Sequence, residues 1–309
     1  MIYTLTLNPC LDRYLYVNRL VEDDTIRAHR VKDWPAGKGI DVSRAIKEIG
    51  GFSVAIALLG GDTGRKIEEM LDEEGVVFAT IRTRKETRMN VIVVEEDTEK
   101  RYRFSLPFEV CNDRQERVLE VLSGLLRKGD WFVVSGSLPK GFEKDFYRRV
   151  IELAKSRNVR TLLDSSGQPF VEGLKASPDV IKPNHHEIKE AFGWEADTPF
   201  KAKLAAQHLR EEFGVKEVLI SLGSKGSFML TDEGAFFSPA LKLPVKSAVG
   251  AGDSFVAGYV WERSRGASYL EAFKLANACG NAAVLTEGTR LCRAEDVEKL
   301  YPQIRVERI

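Results

Sequence analysis

Cysteine is scarce in this chain: only Cys10, Cys111, Cys279 and Cys292 occur among 309 residues, far apart and never as a C-x-x-C pair. That pattern excludes a zinc ribbon or a disulfide framework and predicts reduced cytosolic thiols. A charge excess is lacking as well, because Lys+Arg 46 balance Asp+Glu 46. Such a balance advertises neither nucleic acid nor an anionic membrane, and the basic run Lys155 to Arg160 reads as a solvated helix end. Long apolar runs are missing, the N-terminus has no basic flank, and Asp12 and Arg13 interrupt it early, which excludes a membrane span and a signal peptide. The expectation is a soluble, cytoplasmic protein without internal repeats or low-complexity segments. Its length allows one large domain or two, with a sizeable core.

What the chain does have is a glycine pair placed just before a helix pattern. In Val249-Gly250-Ala251-Gly252-Asp253-Ser254, the glycines permit a close approach of backbone to ligand, and Phe255, Val256, Tyr259 and Val260 follow at helical spacing. A helix N-terminus presents unpaired N–H groups, a partly positive cup for a phosphate or for charge that develops in a reaction. Asp253 would place a carboxylate beside that cup. A base next to an anion cradle suggests phosphoryl transfer to a hydroxyl; alone, the same four letters are equally an ordinary capped helix after a turn.

The remaining pattern decides between them. Ile2 to Leu7 reads as a strand stopped by Asn8-Pro9, which leaves Asp12 just beyond a strand end, either as a grip on sugar hydroxyls or as a turn aspartate. Tyr14 to Val17 and Ile26 to Trp34 read as outlying strands with charged faces, and the hairpin of Val91 to Val94 with Tyr102 to Phe104 could pair with them. Ala36-Gly37-Lys38-Gly39 feeds a helix with a Val42, Ala45, Ile46, Ile49 stripe. A dinucleotide fingerprint needs glycine at position 42, so the rival reading as a nicotinamide oxidoreductase is weakened there. Val54 to Leu59 is a buried strand followed by a helix with Ile67, Met70 and Leu71, and no glycine cluster continues into a P-loop.

From about Asp113 onward amphipathic helices alternate with the strands Trp131 to Val134, Arg160 to Leu163, Val180 to Lys182 and Val218 to Ser221. That predicts a parallel sheet with helices on both faces and a ligand rim formed by the polar residues after each strand. On that rim Glu187, near Asn184 and Lys182, can orient water around a magnesium ion on ATP phosphates. His185-His186 lacks a spaced histidine partner and reads as ordinary loop histidines.

Together these stretches resemble the PfkB carbohydrate kinases of the ribokinase superfamily, essentially from end to end. The marks are Thr4-Leu5-Thr6-Leu7 leading to Asp12, Ala36-Gly37-Lys38-Gly39, Thr87-Arg88, Ser135-Gly136-Ser137-Leu138-Pro139, Asp164-Ser165-Ser166-Gly167, Lys182-Pro183-Asn184 with Glu187, the late G-A-G-D, and Gly288-Thr289-Arg290-Leu291-Cys292. The resemblance implies an α/β, ribokinase-like three-layer sandwich over residues 1–309, with a mostly parallel sheet and a β lid from about 13–34 and 88–106. It implies Asp253 as the base, with the amides of Gly250, Ala251 and Gly252 holding charge on the transferred group. Asp12, Gly37, Lys38 and Asp41 would hold the sugar, and Arg88 and Ser137 its phosphate, with Arg27 as a further candidate. Lys182, Asn184, Ser221, Gly223, Gly226 and Asn281 would line the ATP side and Glu187 would position Mg2+. A monovalent cation such as K+ would lie near Ser247, Val249, Ala283, Gly288 and Arg290.

The implied reaction is ATP-dependent phosphorylation of a ketohexose phosphate, fructose 6-phosphate first, with tagatose 6-phosphate and fructose 1-phosphate as alternatives, in a homodimer joined through the lids. A sugar sensor with a dead kinase site is the remaining rival, and the intact Asp253 speaks against it. Two positions depart from the family pattern: Asp41 stands where members usually carry Asn, and Thr25 where some relatives place a basic residue.

Overall fold

Strands built of uninterrupted apolar residues can be buried only between two layers of helix, and the spacing of such strands along this chain leaves room for a helix between most of them. The computed structural model describes residues 1–110 and 113–309, so Cys111 lies outside the described residues. The chain opens with β1 (Ile2–Thr6), β2 (Cys10–Val17), β3 (Arg30–Ala36), α1 (Lys38–Glu48), β4 (Val54–Leu59), α2 (Gly61–Glu73), β5 (Val77–Arg82), β6 (Arg88–Glu95) and β7 (Lys100–Ser105). Then come α3 (Asp113–Leu125), β8 (Trp131–Ser135), α4 (Phe146–Ser156), β9 (Arg160–Asp164), α5 (Gly167–Leu174), β10 (Val180–Ile181), α6 (His185–Phe192), α7 (Pro199–Phe213) and β11 (Glu217–Ser221). The remainder is β12 (Ser227–Thr231), β13 (Gly234–Ser238), α8 (Ala251–Ser264), α9 (Tyr269–Ala283), α10 (Ala294–Leu300) and β14 (Glu307–Arg308).

The large sheet runs β14-β13-β12-β11-β10-β9-β8-β1-β4-β5. Pairing is parallel from β5 to β11 and antiparallel at the β12, β13 and β14 edge. Alternate residues of one strand feed opposite cores: Phe132 and Val134 pack with Phe146 and Tyr147, while Val133 packs with Val42, Val256 and Tyr259. Strand order reverses at β1, which has β4 on one side and β8 on the other. A switch of this kind opens a crevice at the carboxyl ends of the strands, where ligands collect.

The small sheet has the order β3-β2-β6-β7, with β2 antiparallel to β3, parallel to β6, and β6 antiparallel to β7. Leu7-Asn8-Pro9 alone separates β1 from β2, so the small sheet grows out of the crevice itself. Among the described residues no helix is long and apolar enough to cross a membrane.

Several local expectations change. Asp12 follows the end of β1, yet it sits inside β2 rather than in a turn. The strand expected from Ile26 begins only at Arg30, after a turn in which Asp23 takes a left-handed φ of 54° and the Thr25 amide donates to the Asp24 carboxylate. His185 and His186 form the first turn of α6 rather than a loop. β5, β12, β13 and β14 were not anticipated; β12 is wholly buried and only five residues long, and an apolar run that short carries no period of its own. Two cysteines 13 residues apart also meet: the buried, free thiols of Cys279 and Cys292 share a hydrogen bond.

Candidate active site

α8 starts where its sequence requires. Gly250, at the N-cap, has φ 78°, and a Cβ there would stand 2.5 Å from Leu291 Cδ2. Asp253 follows in the first turn, beside amides that have no partner earlier in the helix, so the carboxylate and the positive end of α8 share one spot. Burial pushes Asp253 up to about 6; Lys38 and Lys182 hold it down, and Asp164 and Glu187 add to the rise. A carboxylate that is ionised at neutral pH but only modestly acidic is suited to accepting a proton from a hydroxyl.

Beside Asp253 opens a cleft of about 1090 Å3 lined by Lys182, Asn184, Ser221, Gly223, Gly226 and Asn281, the residues expected on the nucleotide side. Asn184 caps α6 and accepts from the His186 and Glu187 amides, while Glu187 Oε2 accepts from the Asn184 amide at 2.8 Å. Asn281 accepts from the Leu241 amide at 3.0 Å. Lys38, expected on the sugar side, instead extends its amine to Asp164 at 2.9 Å, with Glu187 at 3.9 Å. Lys182 reaches the same Asp164 oxygen at 3.3 Å. Burial works against charge on Lys38, but Asp164, Asp253 and Glu187 together raise its pKa above the ordinary lysine value. Burial alone would neutralise Asp164; Lys182 and Lys38 outweigh it and lower its pKa. Two fixed ammonium groups thus face the cleft from one buried carboxylate, an arrangement that suits a polyphosphate.

The acceptor side lies at the root of the small sheet. Arg88 donates to Asn90 Oδ1 at 3.1 Å and to the Asn8 carbonyl at 3.2 Å, and its buried Nε has no partner. The Asn8 amide in turn donates to Ser137 Oγ at 2.9 Å, so Arg88, Asn8 and Ser137 form one cluster. Asn90 donates to Asp12 Oδ1 at 2.7 Å and Thr289 to Asp12 Oδ2 at 3.0 Å, which ties the carboxylate to both the small sheet and the loop after α9. Gly37 caps α1 with φ 134°, and a Cβ there would meet Thr6 Cγ2 at 2.6 Å. Its amide donates to Asp41 Oδ2 at 3.3 Å. Arg44, a turn further on, donates to Asp41, to the carbonyls of Pro35 and Thr289, and to both oxygens of Glu74.

The two segments expected to hold a monovalent cation run side by side, because the Lys246 and Ser247 amides both donate to the Val284 carbonyl. Ser247, Ala283 and Gly288 are buried there, while Val249 and Arg290 are exposed. The small sheet touches both segments: Arg101 donates to the Lys246 carbonyl at 2.6 Å, and Arg30 and Lys32 lie 3.6 and 3.5 Å from Glu287. Arg27 is set apart, exposed in the 18–29 segment at the opposite end of the small sheet from Asp12. Sequence reasoning assigned no role to Asn8, Asn90 or Arg44, took Thr289 only as a family mark, and placed Asp164 on the ligand rim without giving it a task. Only Asp164 left a usable signal, a carboxylate at the end of a parallel strand on the ligand rim.

A cleft with two fixed ammonium groups, a carboxylate at a helix N-terminus whose pKa is pushed up to about 6, and a separate cluster of Arg88, Asn8 and Ser137 fit a phosphotransferase that acts on an alcohol group. The sequence profile of the pfkB family carbohydrate kinases matches residues 5–296, and the chain belongs to that family. It is 33% identical over 301 residues to the ATP-dependent 6-phosphofructokinase isozyme 2 of Escherichia coli K12, covering 97% of each chain. It is equally 33% identical over 315 residues to the 1-phosphofructokinase of Bacillus subtilis 168, covering 100% of both. The crystal structure of Escherichia coli phosphofructokinase-2 in complex with potassium superposes with a TM-score of 0.92 at 32% identity, over 98% of each chain. The fold is therefore ribokinase-like, and the chain is a sugar-phosphate kinase.

Proposed function

We propose that the chain transfers the γ-phosphoryl group of ATP to fructose 6-phosphate at its free primary hydroxyl, giving the 1,6-bisphosphate. The observation that carries this reading is the Arg88, Asn8 and Ser137 cluster, whose buried Arg88 Nε is unpartnered, on the acceptor side of Asp253. An arginine with a spare buried N–H, set beside a hydroxyl, is built for a phosphate that the acceptor already carries. Asp253 takes the hydroxyl proton, the acceptor oxygen bonds to phosphorus, and the bond to the bridging oxygen of ADP breaks. The α8 amides with Lys38 and Lys182 hold the charge that spreads over the transferred group.

Tagatose 6-phosphate and fructose 1-phosphate offer the same chemistry, and relatives that bear the names 1-phosphofructokinase and tagatose-6-phosphate kinase leave room for either. A panel of sugar phosphates and free sugars, followed by ADP release, separates them. Free ribose or a nucleoside outperforming every sugar phosphate would overturn the assignment, and no ADP release with any acceptor would favour a sensor.

Magnesium fits the residues present. Glu187 has one oxygen engaged in its cap and the other free of any hydrogen bond closer than the 3.9 Å approach of Lys38, and Asp164 Oδ2 is buried without a partner. Among the described residues no group of three acidic, histidine or cysteine side chains closes around a metal, so Glu187 would hold the ion through water and ATP oxygens. The ion would supply charge neutralisation on the phosphates. A monovalent cation such as K+ would take oxygens of the Ser247, Val249, Ala283, Gly288 and Arg290 region.

The small sheet would act as a lid that keeps water from the reacting phosphate, and its outer face would join a second copy. Val31 is 53% exposed there and Phe104 57%. A dimer by light scattering that Phe104→Glu converts to monomer is the expected outcome; a wild-type monomer at all concentrations removes the idea. Activity should also depend on pH with a definite sign. Because Asp253 must be ionised and is pushed up to about 6, turnover should fall about tenfold per unit below that pH. A flat acid limb in the pH profile would exclude Asp253 as the base.

A further inference from the structure

Phosphoryl transfer gives no task to Cys279 or Cys292, yet their thiols meet: both are free, 0% and 1% exposed, and they share a hydrogen bond. Both are held against α8. A Cβ at Gly258 would stand 2.9 Å from Cys279 Sγ, and one turn earlier Ser254 Oγ accepts from the Cys292 amide at 3.2 Å. Two backbones are thus fixed on one helix with their sulfurs together. A cavity of about 420 Å3 opens beside them, lined by Trp261 of α8, Leu275 of α9, Ala294 and Val297 of α10, and Tyr301. Leu275 stands one turn before Cys279, and Ala294 two residues after Cys292, so the cavity comes within about a helical turn of the pair along both segments.

The loop that leads from Cys279 to Cys292 reaches the active site from behind. Leu291 is 1% exposed and holds a left-handed φ of 72°, which a leucine rarely adopts; its Cδ2 occupies the space that a Cβ at Gly250 would need. Thr289 donates to Asp12 Oδ2 at 3.0 Å, and its carbonyl accepts from Arg44 at 2.9 Å. Thr286 ties the loop to itself, with its hydroxyl against the Ala283 and Leu291 carbonyls. One residue therefore separates Cys292 from the N-cap of the catalytic helix, and three separate it from the acceptor side. A displacement of Cys292 is felt at both.

We propose that Cys279 and Cys292 are an oxidation site: hydrogen peroxide joins them in a reversible disulfide, and the loop between them carries that closure to the active site as a loss of activity. One sulfur attacks a peroxide oxygen; the S–O bond forms, the O–O bond breaks, and the released oxygen leaves as water with the thiol proton. The second sulfur attacks the sulfenic acid so formed; the S–S bond forms, the S–O bond breaks, and the oxygen leaves as a second water with the second thiol's proton. Two thiols lose two electrons in all, and one peroxide becomes two waters. A disulfide holds its sulfurs much closer than a hydrogen bond does. Cys279 sits inside α9 against Gly258, so Cys292 and its loop make the movement. Leu291 then shifts against Gly250, and Thr289 is drawn from Asp12. The oxidation is independent of the substrate; its effect on turnover rests on the sugar-phosphate reading above.

The test has two readouts on the full chain. After treatment with hydrogen peroxide, remaining thiols are blocked with N-ethylmaleimide in denaturant and the protein is digested with trypsin, which cuts after Lys274, Arg290 and Arg293 and so leaves the two cysteines on separate peptides. A cross-linked pair that dithiothreitol separates is the expected result; two blocked thiols overturn the proposal, whatever the enzyme's substrate. In parallel, kcat/KM for fructose 6-phosphate should fall about tenfold or more on oxidation and return with dithiothreitol, the scale of loss that a small misplacement at an active site brings. Cys279→Ala should match the reduced wild type and keep its activity in peroxide; Cys292→Ser tests the pairing from the loop side and serves if the first variant folds poorly. A disulfide that leaves kcat/KM unchanged overturns the switch, as does a loss that persists in the variants. Failure of every sugar phosphate as substrate for the reduced chain would instead sink the functional reading and leave the peptide result standing.

Discussion

Replacing Asp253 by Asn is expected to lower turnover by about 10²- to 10⁴-fold or more while ATP binding is kept. The amide preserves the shape of the first turn of α8 and leaves the helix amides in place, but it cannot accept the hydroxyl proton. Loss of a negative charge beside the phosphate site cannot weaken ATP, so calorimetric affinity should be equal or tighter. The loss therefore belongs in kcat rather than in nucleotide binding, as expected for an interaction made only as the acceptor is deprotonated. ADP release from the purified variant measures it. Unchanged turnover would remove Asp253 from the chemistry and, with it, the meaning assigned to the adjoining glycines.

The second large effect is expected at Arg88. Arg88→Ala removes the charged donor proposed above for the acceptor phosphate and leaves the Asn8 carbonyl and Asn90 Oδ1 without their donor. Charge-assisted hydrogen bonds of this kind contribute about 1.5–3 kcal/mol each, so KM for the sugar phosphate should rise about 10²-fold with little change in KM for ATP. Arg88→Lys should recover part of the loss, because it restores the charge without the fork. Free fructose gives the discriminating comparison. It has no phosphate to lose, and an equal loss with the free sugar would show that Arg88 holds the small sheet in place rather than reading the substrate.

What could be read in the sequence was whatever carries its own period or punctuation. The alternation of strand and helix from residue 113 onward, the glycine pair before α8 and the β6–β7 hairpin are all local patterns, and the sheet, the helix start and the small sheet followed from them. The antiparallel edge could not be read, because β12 and β13 are short and buried and β14 has only two residues. Lys38 was assigned to the sugar from the motif it belongs to, whereas the direction of its long side chain is set by Asp164, 126 residues away. Arg44 lies off the apolar stripe of α1, and the sequence offers no sign of its role. Its burial depends on Glu74 and on a carbonyl 245 residues distant, which no window of sequence contains. Side chains whose partners are this remote are legible only once the fold is known.

The same guanidinium joins β3, the residue that ends α2 and the loop after α9 in a single knot of hydrogen bonds. During synthesis the root of the small sheet therefore stays unfinished until nearly the whole polypeptide has emerged. Contacts spanning so much chain close late and slowly. An amino-terminal fragment, however well folded, would lack the Thr289 carbonyl that completes this knot.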